Sequence, residues 1–308
     1  MQNIFSRIVL VSLKSTYSTL VFTLVILVLI SSISWAENTK LVPTTTLNKL
    51  VGLALDYNLK NRANSKYLPP EEITFLIKKY YYQIGTQVEQ LATARDIQAH
   101  FQKAIDKSTE VFDSGEGDIS QADITKLKLG LSNTLDNIIG LEHDLKIAKL
   151  TLGGLINQEL LEGNDISVGD PIPIDFLYIS FDDYLRAKNL TPQKKNITGK
   201  ANTAKNKVHV KQSTILTEEN RRLLYKAYLD VASSKARVIL GKKNRKITRA
   251  LLISEVANYD FGIGDSQELF EALMIYTRVF SGYLDSVYDF NVMVAELEKI
   301  KNTIYSQN

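Results

Sequence analysis

Two Gly-x-Gly-Asp turns, Gly115-Glu116-Gly117-Asp118 and Gly262-Ile263-Gly264-Asp265, stand 147 residues apart, each between long proline-free runs with helical apolar spacing. This is the pattern of an internal repeat of a long helical hairpin, and such a repeat decides the architecture before any single residue does. It points to a duplicated coiled-coil tube or scaffold and away from an enzyme built round a pocket.

The flanking runs carry the pattern. Before the first turn, Ile73, Ile77, Tyr80, Ile84, Val88 and Leu91 recur at steps of 3 or 4. After it come Ile124, Leu127, Leu131, Leu135, Ile138, Leu141, Leu145, Ala148, Leu152 and Leu155. The second copy ends with Leu269, Leu273, Tyr276, Phe280, Leu284, Val287, Phe290, Val294 and Leu297. Alternating steps of 3 and 4 keep apolar side chains on one stripe of a helix, as in coiled coils. The remaining arm, near 217–257, is weaker: Leu224, Tyr228, Val231, Val238, Leu251 and Leu252 are interrupted by the basic stretch Lys242 to Arg249. All six prolines (43, 69, 70, 171, 173 and 192) fall outside the four arms. Glycine takes positive φ where a helix must stop and reverse. The following Asp is placed to cap the next helix, with a capping-box partner three residues on: Asp118 with Gln121, and Asp265 with Glu268.

Residues 1–36 read as a secretory signal: Arg7 and Lys14 make a positive start, Leu20 to Ile30 an apolar core, and Ser34-Trp35-Ala36 a cleavage site before Glu37. An uncleaved anchor needs about 20 apolar residues, more than that core supplies. The chain has no Cys, which excludes disulfides, thiolate metal sites and a lipidated N-terminal Cys. Export without disulfides suits a bacterial envelope protein and makes nucleic acid an improbable partner. The expected organisation is a linker and short helix over 37–72 (the helix from Leu47 to Leu59), hairpin repeats over 73–157 and 217–302, a basic connector over 158–216 and a tail over 303–308.

Charge is near balance in total, 37 basic against 34 acidic residues, but unevenly spread. Residues 108–125 hold Glu110, Asp113, Glu116, Asp118 and Asp123 with no Lys or Arg, and 250–277 hold Glu255, Asp260, Asp265, Glu268 and Glu271 with none either. The stretch 184–217 is the reverse: Arg186, Lys188, Lys194, Lys195, Lys200, Lys205, Lys207 and Lys211 with no acid. Such a run reads either as an ordinary flexible linker or as attraction to an anionic surface, lipid phosphates or the peptidoglycan layer, with Lys194, Lys195, Lys200, Lys205 and Lys207 as the contacts. The three histidines (100, 143 and 209) have no partner at metal-ligand spacing, Gly-Glu-Gly-Asp lacks the length and Lys of a phosphate loop, and Asp182-Asp183 reads as a helix start. No cofactor and no catalytic residue is expected. Tyr80, Tyr81 and Tyr82 read as inter-helix packing with at least one of them facing solvent, the alternative being a sugar or peptidoglycan platform.

The run NYDFGIGDSQELFEALMIYTRVFSGYLDSVYDFNVMVAEL, Asn258 to Leu297, resembles the C-terminal hairpin of the TolC family of outer-membrane efflux proteins: tip turn, returning helix and a Tyr-Asp-Phe-Asn run near its end. Ser114 to Ile156 resembles the N-terminal hairpin. The resemblance implies three chains forming a twelve-helix periplasmic tube below an outer-membrane β-barrel, its tips docked on a periplasmic adaptor (membrane fusion protein) that joins an inner-membrane transporter. Gly115, Glu116, Gly117, Asp118, Gly262, Ile263, Gly264 and Asp265 would form the docking tip. Asp113, Asp118, Asp260 and Asp265 would make an acidic entrance that favours cations. The departure from the family lies in the barrel. Four strands of about ten alternating residues are needed per chain, and only Ile172, Ile174, Phe176 and Tyr178, with Val208 and Val210, offer a candidate pair. Arms of about 40 residues span roughly 60 Å at 1.5 Å per residue, short for the family.

The expectation is an all-α chain, two long antiparallel coiled-coil hairpins in one elongated bundle with little or no β structure. Its function is a non-enzymatic, TolC-like conduit component of efflux or type I secretion, a homotrimer in the outer membrane facing the periplasm. The alternative is a periplasmic coiled-coil scaffold or adaptor without a pore.

Overall fold

A computed structural model describes residues 44–61, 67–115, 119–160, 168–192 and 214–306. They form helices α1 (Thr44–Lys60), α2 (Pro70–Ser114), α3 (Gln121–Ile156), α4 (Phe181–Ala187), α5 (Glu218–Asp260) and α6 (Ser266–Ser306), with three-residue strands β1 (Leu190–Pro192) and β2 (Thr214–Leu216). The fold is all-α, as the repeat implies, and β1 and β2 pair in parallel, Leu190 opposite Thr214. Pro70 opens α2 at a first-turn position where its missing N–H costs nothing.

The long helices make two antiparallel hairpins, α2–α3 and α5–α6, and the hairpins join through α2 and α6, so that α3 and α5 are the outer helices. At the end away from the turns, Glu72 of α2 pairs with Lys299 of α6 at 3.3 Å and the Ser306 hydroxyl donates to Glu71 at 2.7 Å. That hydrogen bond holds the Glu71 carboxyl below the usual range. Midway, the Gln90 side-chain amide donates to Ser281 and Asp285 of α6.

The core is strung along the bundle as separate clusters. One joins α1 to the base of the first hairpin through Leu50, Ala54, Ile73, Ile77, Ala148 and Leu152; another joins α4 to α5 and α6 through Tyr184, Leu224, Val231, Leu284, Val287 and Phe290. Towards the turns, Ile97 and Phe101 of α2, Leu127 of α3, Leu252 and Tyr259 of α5, and Leu269 and Leu273 of α6 share one cluster, and there the two hairpins become a single body.

Most of the apolar stripe lies where its spacing puts it. On α6, eight of the nine expected positions are buried and Tyr276 packs at the margin. On α2 the stripe is one residue off at two places: Tyr81 and Gln87 are buried, while Tyr80 is intermediate and Val88 exposed. On α3, Thr134 is buried and Leu135 exposed. The reason is close approach. A Cβ on Gly130, one turn before Thr134, would lie 2.6 Å from the Phe101 ring, so the seam is built from small residues that a search for large apolar ones passes over.

The alternating segment before α4 does not form a strand hairpin. Ile174 N–H donates to Asn291 Oδ1 at 2.9 Å, Asn291 Nδ2 donates to the Ile172 carbonyl at 2.9 Å, and Lys235 Nζ donates to the Phe176 carbonyl at 2.6 Å. Phe176 is thereby turned into the α4–α5–α6 core. Its expected strand partner, Val208 and Val210, lies outside the described residues.

Two glycines separate packing from propensity. Gly140 is exposed in α3, and a methyl group added there would have nothing within 4 Å, so Gly140→Ala is expected to stabilise the chain by about 0.5–1 kcal/mol. Gly130→Leu is expected to destabilise it by about 1–3 kcal/mol through overpacking on Phe101. Urea unfolding of the two variants checks both signs.

Candidate functional site

The two turns lie at the same end of the bundle. Each begins with glycine in the left-handed region, Gly115 at φ 70° and Gly262 at φ 74°, where any other L-residue is strained. Gly115 N–H donates to the Phe112 carbonyl at 3.2 Å, Gly262 N–H to Tyr259 at 3.1 Å, and the N–H groups of Ile263 and Gly264 to the Asn258 carbonyl at 3.0 and 3.1 Å. Carbonyls left open at the ends of α2 and α5 are thereby satisfied. A side chain at Gly264 would bring its Cβ to 2.9 Å from that of Asn258, so the second glycine is needed for space.

The second turn caps as its sequence implies: Asp265 Oδ1 accepts from Glu268 N–H at 2.7 Å. The first does not. Glu116, Gly117 and Asp118 lie outside the described residues, but α3 starts at Gln121, which leaves Gln121 too early to be a capping-box partner. The cap is Ser120, extended at φ −97° and ψ 158°, whose hydroxyl accepts from Asp123 N–H while the Asp123 carboxylate accepts from Ser120 N–H. The first turn is therefore longer than the second, which the shared Gly-x-Gly-Asp frame conceals.

The tips are also less acidic in space than along the chain. Lys103 and Lys107 of α2 reach across to α5. Lys103 Nζ pairs with Asp260 at 2.7 Å. Lys107 Nζ donates to the carbonyls of Tyr259 (2.6 Å) and Asp260 (3.1 Å) and lies 5.0 Å from the centre of the Tyr259 ring. Cations at the last carbonyls of a helix offset both the open acceptors and the negative end of the dipole. Beneath them, Tyr259 Oη donates to the Ala104 carbonyl at 3.0 Å and lies 2.6 Å from Ser108 Oγ, a buried polar bridge between the hairpins. Of the four acids in the expected entrance, Asp113 is exposed, Asp260 is ion-paired, Asp265 serves as a cap and Asp118 lies outside the described residues. Two large apolar side chains project at the second turn, Phe261 (81 % exposed) and Ile263 (78 %). Phe261 is a tip residue that the glycine-and-acid pattern does not single out.

Elsewhere, Asp182 and Asp183 stand in the first turn of α4, with Asp183 N–H donating to Ser180 Oγ at 3.1 Å. Tyr81 is buried, and the half-buried Tyr82 has its phenol pushed up to about 12 by burial. His143 is exposed, His100 half-buried and His209 outside the described residues. Among the described residues no group of three or more His, Asp and Glu is placed to hold a metal, and no helix is long and apolar enough to cross a membrane. Lys194, Lys195, Lys200, Lys205 and Lys207 lie outside the described residues.

Ser120→Ala is expected to destabilise the chain by about 1 kcal/mol and to speed amide exchange in the first turn of α3. The Ser120 hydrogen bonds hold the Asp123 carboxyl below its ordinary value of 3.8. A depressed acid contributes its stability above the unfolded-state value and loses it as pH falls through the folded one. Exchange at the first tip should therefore rise below about pH 4 in the native chain and be already raised in Ser120→Ala.

No family model matches the chain and no curated protein matches it. Solved structures do. The outer-membrane channel OprN superposes with TM-score 0.53 at 10 % identity over 83 % of this chain and 70 % of that one. CusC, described in terms of folding and transmembrane channel formation, gives 0.53 at 11 % over 83 % and 74 %. The outer membrane protein VceC of Vibrio cholerae gives 0.51 at 12 % over 83 % and 74 %. In fold, this chain is similar to outer-membrane channels, as its resemblance to the TolC family implies.

Proposed function

We propose that the chain is a divergent, shortened TolC-like conduit component of efflux or type I secretion, exported by its N-terminal signal and acting passively as a homotrimer at the outer membrane, facing the periplasm. The observation that carries this reading is a pair of unpartnered apolar edges. On α3, Leu135, Ile139, Ile147 and Leu150 are 40–66 % exposed, and on α5, Ile239, Leu240, Ile247, Leu251 and Ile253 are 40–65 % exposed. Exposed apolar stripes of that length mark interaction surfaces. They lie on the two outermost helices, so one copy meets the next by different faces, α3 against α5, and a heterologous contact of this kind closes into a ring when its rotation permits.

In this reading the joined tips, with Gly115, Glu116, Gly117, Asp118, Gly262, Ile263, Gly264 and Asp265, dock on a periplasmic adaptor linked to an inner-membrane transporter. The exposed Phe261 and Ile263 supply the apolar part of that contact. The entrance acids act with Lys103 as a mixed-charge rim, and Lys194, Lys195, Lys200, Lys205 and Lys207 meet an anionic envelope surface. A pore-free periplasmic scaffold is the second reading, favoured by the segment at 172–178 lying along α5 and α6 instead of pairing as a strand hairpin.

Cross-linking in native envelopes should trap a trimer in the outer-membrane fraction. Ile139→Asp and Ile247→Asp should each abolish it while leaving the helical circular dichroism unchanged. A periplasmic monomer or dimer in the unaltered chain would leave the scaffold reading.

A further inference from the structure

A cleft of about 420 Å³ opens beside the first two turns of α5, at the end of the bundle away from the tips, where α4 lies against α5. One wall is apolar and aromatic, from Ile179, Phe181, Tyr225 and Leu229; the other carries Arg221 and Arg222, with Ser180, Asp182 and Glu218 at the rim.

Two features are unusual for a surface that serves only packing. Arg221 Nε is shut off from solvent without a hydrogen-bond partner, and a buried donor left unpaired is costly. Neither arginine forms a salt bridge with a described residue, although Asp182 and Glu218 line the same cleft. The apolar side is equally unsatisfied: Ile179 is 93 % exposed and Leu177, two residues before it, 81 %.

We propose that this cleft and the exposed pair Leu177 and Ile179 form a seat for an anionic phospholipid of a bilayer surface. Arg222 and the terminal Nη atoms of Arg221, whose Nε is shut off from solvent, take the phosphate, and Leu177 and Ile179 enter the acyl boundary. A guanidinium fork fits phosphate oxygens in two-point geometry, and paired cationic and apolar contacts are what interfacial anchoring requires. The cleft's own charges balance, two arginines against Asp182 and Glu218. The excess that draws a negative surface comes from the sequence beside it: Arg186 stands in the last turn of α4 and Lys188 just after it, and the sequence between β1 and β2 adds Lys194, Lys195, Lys200, Lys205, Lys207 and Lys211 without one acid. In the chain, β1 follows α4 and β2 precedes α5, and residues of both helices line the cleft. The proposal deepens the outer-membrane reading and rests on it for location, with the cleft turned to the membrane and the tips away from it.

The test is flotation of the full chain with vesicles of phosphatidylglycerol and phosphatidylethanolamine, against phosphatidylcholine alone, over a salt series. Binding to the anionic vesicles should weaken with salt. Arg221→Gln with Arg222→Gln should weaken it about thirty-fold, taking about 1 kcal/mol for each cation near the surface. Leu177→Ser with Ile179→Ser should weaken it on the order of ten-fold. Arg221→Lys with Arg222→Lys, which keeps the charges but loses the two-point fork, should recover only part of it, and unchanged thermal unfolding separates these effects from misfolding. Binding that ignores the arginine and Leu177/Ile179 variants, whether carried by the N-terminal apolar stretch or by the connector lysines, overturns the proposal. So does binding of inorganic phosphate with the same arginine dependence but no vesicle flotation. Arginine-dependent flotation by a chain that never reaches the outer membrane in cells would count against the conduit reading and leave the lipid seat standing.

Discussion

The seam between α2 and α6 is the contact on which the rest of the bundle depends. Each hairpin alone is a pair of helices with one shared face, and two helices leave most of their apolar stripe wet. Joining the hairpins through α2 and α6 gives those helices a second covered face, which is why α6 carries the most continuous run of buried positions. The same choice leaves α3 and α5 with one packed face each. Their apolar remainder is therefore a consequence of the topology: a four-helix layer with two open edges has to end at water, at another protein, or at a further copy of itself.

The seam changes character along its length. Near the turns it is apolar and shared by all four helices; at the far end it is ionic, with Glu72 and Lys299 crossing it. Exposed ion pairs are worth little, about 0–1 kcal/mol, and the same holds for the pair that joins α2 to α5 at the other end, Lys103 with Asp260. The buried hydroxyl bridge at Tyr259 does more, because every polar atom placed there must keep its partner or bear the desolvation cost.

How much of this was legible follows from what each signal measures. Large apolar residues at steps of 3 and 4 give the four arms, and α6 follows its expected stripe almost residue for residue. The same signal slips at Tyr80 and Val88 and misses Gly130 and Thr134, because close helix contact is made by small side chains whose hydrophobicity says nothing. Charge read along the chain shows acidic tips. Folding brings Lys103 and Lys107 from a distant arm to the end of α5, a long-range contact with no local trace. The glycines mark both turns, but the turns differ in length, so the cap at Ser120 is hidden by the likeness of the two motifs. Alternation from Ile174 to Tyr178 does report one inward and one exposed side, while Ile172 stays exposed; it carries no information on whether the partner is a strand or a helix.

That last segment is gripped by a side-chain amide on α6, with Lys235 of α5 holding the Phe176 carbonyl further on. Asn291 offers an acceptor to the N–H of Ile174 and a donor to the carbonyl of Ile172, as a neighbouring strand would. An amide has one donor end and one acceptor end, so it recognises the direction of the backbone it grips. A slip of a single residue would turn these groups away and carry Phe176 out of the core. One helical residue thus sets the register of the connector against α6, and the place of Phe176 in the core depends on it.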